Sequence, residues 1–168
     1  LLVVGLVLYL KDSMQQMQQQ MQQQNLVINP INSGPYLEIR SIDTMKYSRD
    51  LSREKLNDPS FDKIIDKQMS DIASTGANYV AIGTPYDEEF IPILERWVGA
   101  ARKHNLRVWF RGNFSGWEEW FGYSKIDMTS HVIKTERFIL DNPDIFQDGD
   151  IFTSCPECEN GADLELGD

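Results

Sequence analysis

Two carboxyl groups held near one another can do acid/base chemistry, one protonating a leaving oxygen while the other attacks or activates water. Glu157 and Glu159 are carboxylates that could serve, in the run Cys155-Pro156-Glu157-Cys158-Glu159. They also fit a plainer description. From Asp141 to Asp168 there are nine acidic residues and no Lys or Arg, the pattern of a solvated acidic face. A second group is aromatic: Trp109, Phe110, Phe114, Trp117, Trp120, Phe121 and Tyr123 fall within fifteen residues, interleaved with Arg111, Asn113 and Glu118. Sugar rings stack their apolar faces on aromatic side chains and offer hydroxyl edges to Asn, Glu and Arg. Arg111 and Asn113 are therefore expected substrate contacts, with Trp109 and Trp117 as stacking surfaces. A lid helix packing Trp117, Trp120 and Phe121 inward at i, i+3, i+4 fits the same spacing. Arg40 and Asp43 stand ready either to support these contacts or to pair with one another inside the fold. Asp87, after the second strand, joins the expected set.

The two cysteines form a C-x-x-C, Cys155 and Cys158. One such pair supplies half of a tetrahedral zinc site, and no second Cys or His pair accompanies it. The acidic surroundings oppose a low-pKa thiolate. A disulfide that shapes the loop around Glu157 ranks first, free thiols second and metal third. His104 and His131 sit at expected helix ends and read as solvent-facing. Neither a metal nor a cofactor is expected.

The elements that must position these residues alternate. Tyr36 to Ile42 reads as a strand, followed by a polar loop to Ser60. Phe61, Ile64, Ile65, Met69 and Ile72 mark a helix over 61–75, which Gly76 closes. Tyr79–Ile82 is a short apolar strand suited to burial on both faces. A helix carrying Phe90, Ile93, Leu94, Trp97 and Ala101 follows, then a strand over Leu106–Phe110, where one of Trp109 and Phe110 faces the helices and the other the opposite side. Thr129 or Ser130 caps a third helix bearing Val132, Ile133, Phe138 and Ile139, stopped by Asn142-Pro143, and Gly149 to Thr153 makes a fourth strand. Repeated strand–helix alternation predicts a parallel sheet with right-handed crossovers. No Gly-rich turn follows the first strand, which disfavours a dinucleotide or P-loop fold. The chemistry-bearing residues gather after the strands, as in a barrel. The expected fold is α/β: a partial (β/α)8 TIM barrel of about four βα units, half of the ~250 residues a whole barrel takes.

The pieces Ser41-Ile42-Asp43-Thr44-Met45-Lys46, Val108-Trp109-Phe110-Arg111-Gly112-Asn113 and Gly149-Asp150-Ile151-Phe152-Thr153-Ser154-Cys155-Pro156-Glu157 resemble the first, third and fourth strand ends of clan-A-type glycoside hydrolase barrels. The resemblance covers roughly residues 36–160, the N-terminal half of such a barrel. It implies a general acid/base at the end of the fourth strand, the position of Glu157, and a nucleophile at the end of the seventh. The family usually has Asn directly before this acid/base, where Pro156 stands here.

Residues 1–10 are apolar from Leu1 to Leu10, and Lys11 is the first charge. A bilayer core needs ~20 such residues in a helix, so this segment reads as the trailing half of a membrane anchor, with a signal segment as the alternative. Residues 11–35 read as a Met/Gln-rich stalk and linker, and 36–168 as the half barrel. Formal net charge is −10, which disfavours nucleic-acid phosphate as a partner. The expectation is a membrane-anchored, extracytoplasmic protein whose partner is a polysaccharide or oligosaccharide, either cleaved or bound without cleavage.

Overall fold

The computed structural model describes residues 39–158; the anchor, the stalk, the start of the first expected strand and Glu159 lie outside them. Four strands, β1 (Ser41–Asp43), β2 (Tyr79–Ile82), β3 (Arg107–Phe110) and β4 (Ile151–Phe152), form one sheet in the order β1-β2-β3-β4. Every pairing is parallel. Chain order and spatial order coincide, so β1 sits at an edge of the sheet among the described residues. A doubly wound sheet would place it between two other strands. This mixed α/β architecture is compatible with part of a barrel.

Right-handed crossovers between sequential parallel strands lay their helices on a single face. The connections between these strands carry α3 (Phe61–Ser74), α4 (Ile91–Lys103) and α5 (Met128–Asp141). The register aligns Val80 with Val108 and Ile82 with Phe110, which turns these four side chains toward the helices. There they join Phe61, Ile65 and Met69 of α3 and Ile93, Leu94 and Trp97 of α4 in one core. Trp97 is fully buried, with its ring edge-on to Phe61 at 6.0 Å between centroids. Phe110 thus faces the helices and Trp109, half-buried, the opposite side. All four residues of β2 are buried, as a strand covered on both faces requires.

Local chemistry sets the element ends. Gly76 takes φ +84° just past α3, a left-handed position that glycine adopts without Cβ strain. Arg96 of α4 ties down the turn before α3 by donating to the carbonyl oxygens of Lys55, Leu56 and Asp58. The third helix begins two or three residues earlier than a cap at Thr129 or Ser130 would place it. Asp127 is the cap, its carboxylate accepting from the Ser130 N–H at 2.7 Å. That backbone hydrogen bond holds the Asp127 carboxyl below the ordinary aspartate range.

The stretch expected as a polar loop contains two short helices, α1 (Met45–Asp50) and α2 (Ser52–Lys55). They dock through buried hydroxyls as well as apolar contacts: Ser48 Oγ accepts from Gly83 N–H at 2.9 Å and Ser52 Oγ donates to Ser48 O at 2.6 Å, while the Tyr47 ring packs on Phe61 and Trp97 and Leu51 lies against the core. No hydrophobic period announces such a helix. Asp150, just before β4, is held by Arg102 through both carboxylate oxygens and also accepts from the N–H groups of Val108 and Gln147. This partly buried pair fixes the fourth strand to α4 and β3.

Candidate functional site

At the C-terminal ends of the strands a cleft of about 560 Å³ is lined by Asp43, Thr44, Met45, Lys46, Tyr47, Arg49, Arg111 and Glu157. Three separate stretches of chain contribute. Asp43 ends β1, and its carboxylate accepts from Met45 N–H at 2.6 Å and from Arg111 Nη1 at 3.2 Å. Arg111 follows β3, with its backbone N–H still in the ladder at 2.8 Å from Ile82 O and its guanidinium 5.4 Å from the Trp109 ring centroid. The Trp109 indole N–H donates to Thr153 Oγ1 at 2.8 Å, which joins β3 to the segment leading to Glu157. Asp43, Trp109 and Ile151 are in register, so they point to the same face of the sheet, away from the helices.

Glu157 sits in a turn closed by the Cys155–Cys158 disulfide, whose Cα atoms are 5.3 Å apart. The C-x-x-C is thus the loop-shaping pair ranked first from sequence. Glu157 has φ +53°, a left-handed conformation that a non-glycine residue adopts at a cost of order 1–3 kcal/mol. Asn113 Nδ2 donates to Pro156 O at 3.2 Å, immediately ahead of Glu157. Asn113 Oδ1 in turn accepts from Phe114 N–H at 3.0 Å and lies 2.7 Å from His131 Nε2. Because a carboxamide oxygen only accepts, His131 Nε2 carries the proton in this contact.

His131 is buried, 3% exposed, and does not face solvent as its position in the sequence led us to expect. It lies on the inner side of α5 with its ring 4.4 Å from that of Trp117, and burial lowers its pKa. Asn113 and Trp117 are also interior, 1% and 0% exposed. In this structure they support the loops instead of lining the cleft.

Asp87 lies elsewhere. Its carboxylate accepts from Ser115 N–H at 2.7 Å, and it borders a different cleft, beside Tyr86, Glu88, Phe114 and Lys134. Arg40 precedes β1, with its backbone N–H donating to Asn78 Oδ1 at 2.8 Å, at the end of the strand away from Asp43. The partner of Asp43 across the sheet is Arg111.

The aromatic loop after β3 is not a helix. It forms two 3-10 turns, Ser115–Trp117 and Trp120–Gly122, separated by left-handed Glu119 and containing left-handed Phe121. The second turn is pinned by Arg53, which donates to Phe121 O and pairs with Glu89. Tyr123 OH donates to Glu89 at 2.8 Å, and burial, assisted by that carboxylate, pushes its pKa up to about 12. Trp120 receives the Arg49 guanidinium at 4.5 Å from its ring centroid. No family model, curated protein or solved structure matches this chain. What the site can do rests on its geometry.

Lys46, Tyr47 and Arg49 were not among the residues expected from sequence, since they belong to the short helix α1. Among the described residues no cluster of His, Cys, Asp or Glu could hold a metal ion, and no helix is long and apolar enough to cross a membrane.

Proposed function

We propose that residues 36–168 are the N-terminal half of a clan-A-type glycoside-hydrolase-like (β/α)8 barrel, held outside the cytoplasm by a membrane anchor and acting on a polysaccharide. The observation that carries this reading is the convergence of Asp43, Arg111 and Glu157, from the ends of β1, β3 and β4, on one cleft. Barrel enzymes place their chemistry on this face of the sheet. Glu157 is the carboxyl group in the acid/base position, where it protonates the leaving oxygen. Asp43 and Arg111 hold sugar hydroxyls, and Trp109, whose indole N–H is fixed by Thr153, supplies an apolar surface. Asn113 and His131 act as positioning residues through Pro156 O. The second carboxylate belongs at a seventh strand end in the family resembled, beyond the four strands described.

One observation favours a second reading, a barrel that binds carbohydrate without cleaving it. Glu157 follows Pro156 and has a left-handed backbone within a disulfide-closed turn, a departure from the family pattern at the acid/base itself. Glu157→Gln in the full-length protein separates the two. Under the hydrolase reading this variant loses reducing-end release from its polysaccharide while still binding it. Unchanged turnover removes Glu157 from the mechanism, and binding by a wild-type protein that releases no sugar selects the second reading.

A further inference from the structure

The sign of charge in the cleft runs against that of the chain. Net charge is −10, with 26 acidic and 16 basic residues. Yet the cleft at the strand ends is lined by three cations, Lys46, Arg49 and Arg111, and two anions, Asp43 and Glu157. The cleft bordered by Asp87 has four acidic and two basic residues. A third, between α3 and α4, has three of each.

Hydrogen bonding sharpens the contrast. Asp43 already accepts from Met45 N–H and Arg111. Arg111 gives Asp43 one hydrogen bond at 3.2 Å, and its side chain remains 31% exposed. Arg49 gives one donor, Nε, to Asp50 at 2.8 Å. Lys46 is exposed and has no hydrogen-bond or ion-pair partner among the described residues. A guanidinium has five N–H donors and an ammonium three, so most of the donors on these three side chains stay available.

Both arginines lie over indole rings, Arg111 on Trp109 and Arg49 on Trp120. A cation–π contact of this kind restrains the guanidinium, and its planar fork suits a two-oxygen anion. Neutral sugars need a balance of donors and acceptors, since each hydroxyl does both. This cleft has an excess of charged donors beside aromatic surfaces. We infer that it takes a sugar ring bearing an anionic substituent, a carboxylate or a sulfate, with the anion held among Lys46, Arg49 and Arg111.

This inference rests on the carbohydrate reading above, and the experiment keeps the two apart. The full-length protein is titrated onto matched pairs of polysaccharides: polygalacturonate and its carboxyl-reduced form, hyaluronan and its carboxyl-reduced form, dextran sulfate and dextran. The acidic member of at least one pair is expected to bind about tenfold or more tightly than its neutral counterpart, a preference that weakens as salt screens the charges. Which pair responds separates carboxylate from sulfate. Lys46→Gln and Arg49→Gln, each checked for an unchanged melting temperature, should reduce the preference several-fold, and Lys134→Gln in the Asp87 cleft should leave it intact. Equal binding of both members overturns the anionic assignment and leaves the carbohydrate reading standing. Binding to no polysaccharide overturns both. An acidic preference that survives the Lys46 and Arg49 changes places the anion elsewhere and overturns the inference.

Discussion

Replacing Asp150 with Ala should be among the most damaging single changes in the described fold. The carboxylate is 6% exposed, and its partner Arg102 is 17% exposed. Removing it breaks both hydrogen bonds from the guanidinium and leaves the N–H groups of Val108 and Gln147 without their acceptor, at 3.0 and 2.9 Å in the intact protein. What remains for Arg102 is poor: contacts of 3.4 and 3.5 Å to the carbonyls of Leu106 and Ile145, and an Nε with no partner. Breaking a buried ion pair from one side costs about 3–5 kcal/mol, because the remaining charge stays desolvated. Arg102 retains some solvent contact, so about 4 kcal/mol is the expected loss, with the orphaned amides included because such terms do not add. At this domain size that corresponds to roughly 15 °C in melting temperature. Urea unfolding followed by tryptophan fluorescence measures it directly. Asp150→Asn, which keeps an acceptor but no charge, should lose about half as much. Hydrogen exchange should quicken at Thr153, whose N–H is bonded to Phe110 O at 2.9 Å. A loss under about 1 kcal/mol for Asp150→Ala would show that β4 is held by something other than this pair.

Other substitutions test other parts of the account. Gly112→Ala would put a Cβ 2.1 Å from Thr84 O and 2.7 Å from the Tyr86 ring, so a loss of about 1–3 kcal/mol is expected. Gly99→Ala, in the exposed middle of α4 with nothing within 4 Å, should gain up to about 1 kcal/mol by the same unfolding measurement. Burial lowers the His131 pKa, so below about pH 6.5 the unfolded chain takes up a proton that the folded protein refuses. Stability should therefore fall as pH drops from about 6.5 toward the lowered folded value, and His131→Gln should flatten that slope. An unchanged slope in the variant would place the proton uptake elsewhere. Reducing the Cys155–Cys158 disulfide should loosen the turn bearing Glu157, read as faster exchange from Ser154 to Cys158, with the core amides of β2 unaffected.

Much of the fold was legible because apolar periodicity was strong where the core is. β2, α3 and α4 carry their burial in the spacing of Val80, Ile82, Ile65, Met69, Ile93, Leu94 and Trp97, and the structure places them where that spacing says. The elements that sequence missed are held by other forces. The short helices α1 and α2 are tied in partly by the hydroxyls of Ser48 and Ser52, beside Tyr47 against Phe61 and Trp97, and elements of six and four residues leave no period to read. The spacing of Trp117, Trp120 and Phe121 mimics a helix, but left-handed Glu119 and Phe121 break it into two turns.

The candidate site was legible where it follows a strand directly. Asp43 and Arg111 lie at strand ends, so topology alone brings them together. Asp87 stands five residues past β2, far enough for the chain to turn toward the helix side, where Tyr86 stacks on Phe138 at 4.2 Å. The bond between Asn113 and His131 offsets the cost of burying both, and such a contact between residues eighteen apart is encoded by no local pattern.

The most direct test of the site is amide chemical-shift mapping of the isotopically labelled protein with an oligosaccharide that it binds. Perturbations are expected at Asp43 to Tyr47, at Trp109 and Arg111, and from Thr153 to Cys158, together with a shift of the Trp109 indole N–H that is bonded to Thr153. Perturbations confined to the cleft around Asp87, Lys134 and Arg137, with Asp43, Trp109 and Glu157 silent, would contradict this placement of the site.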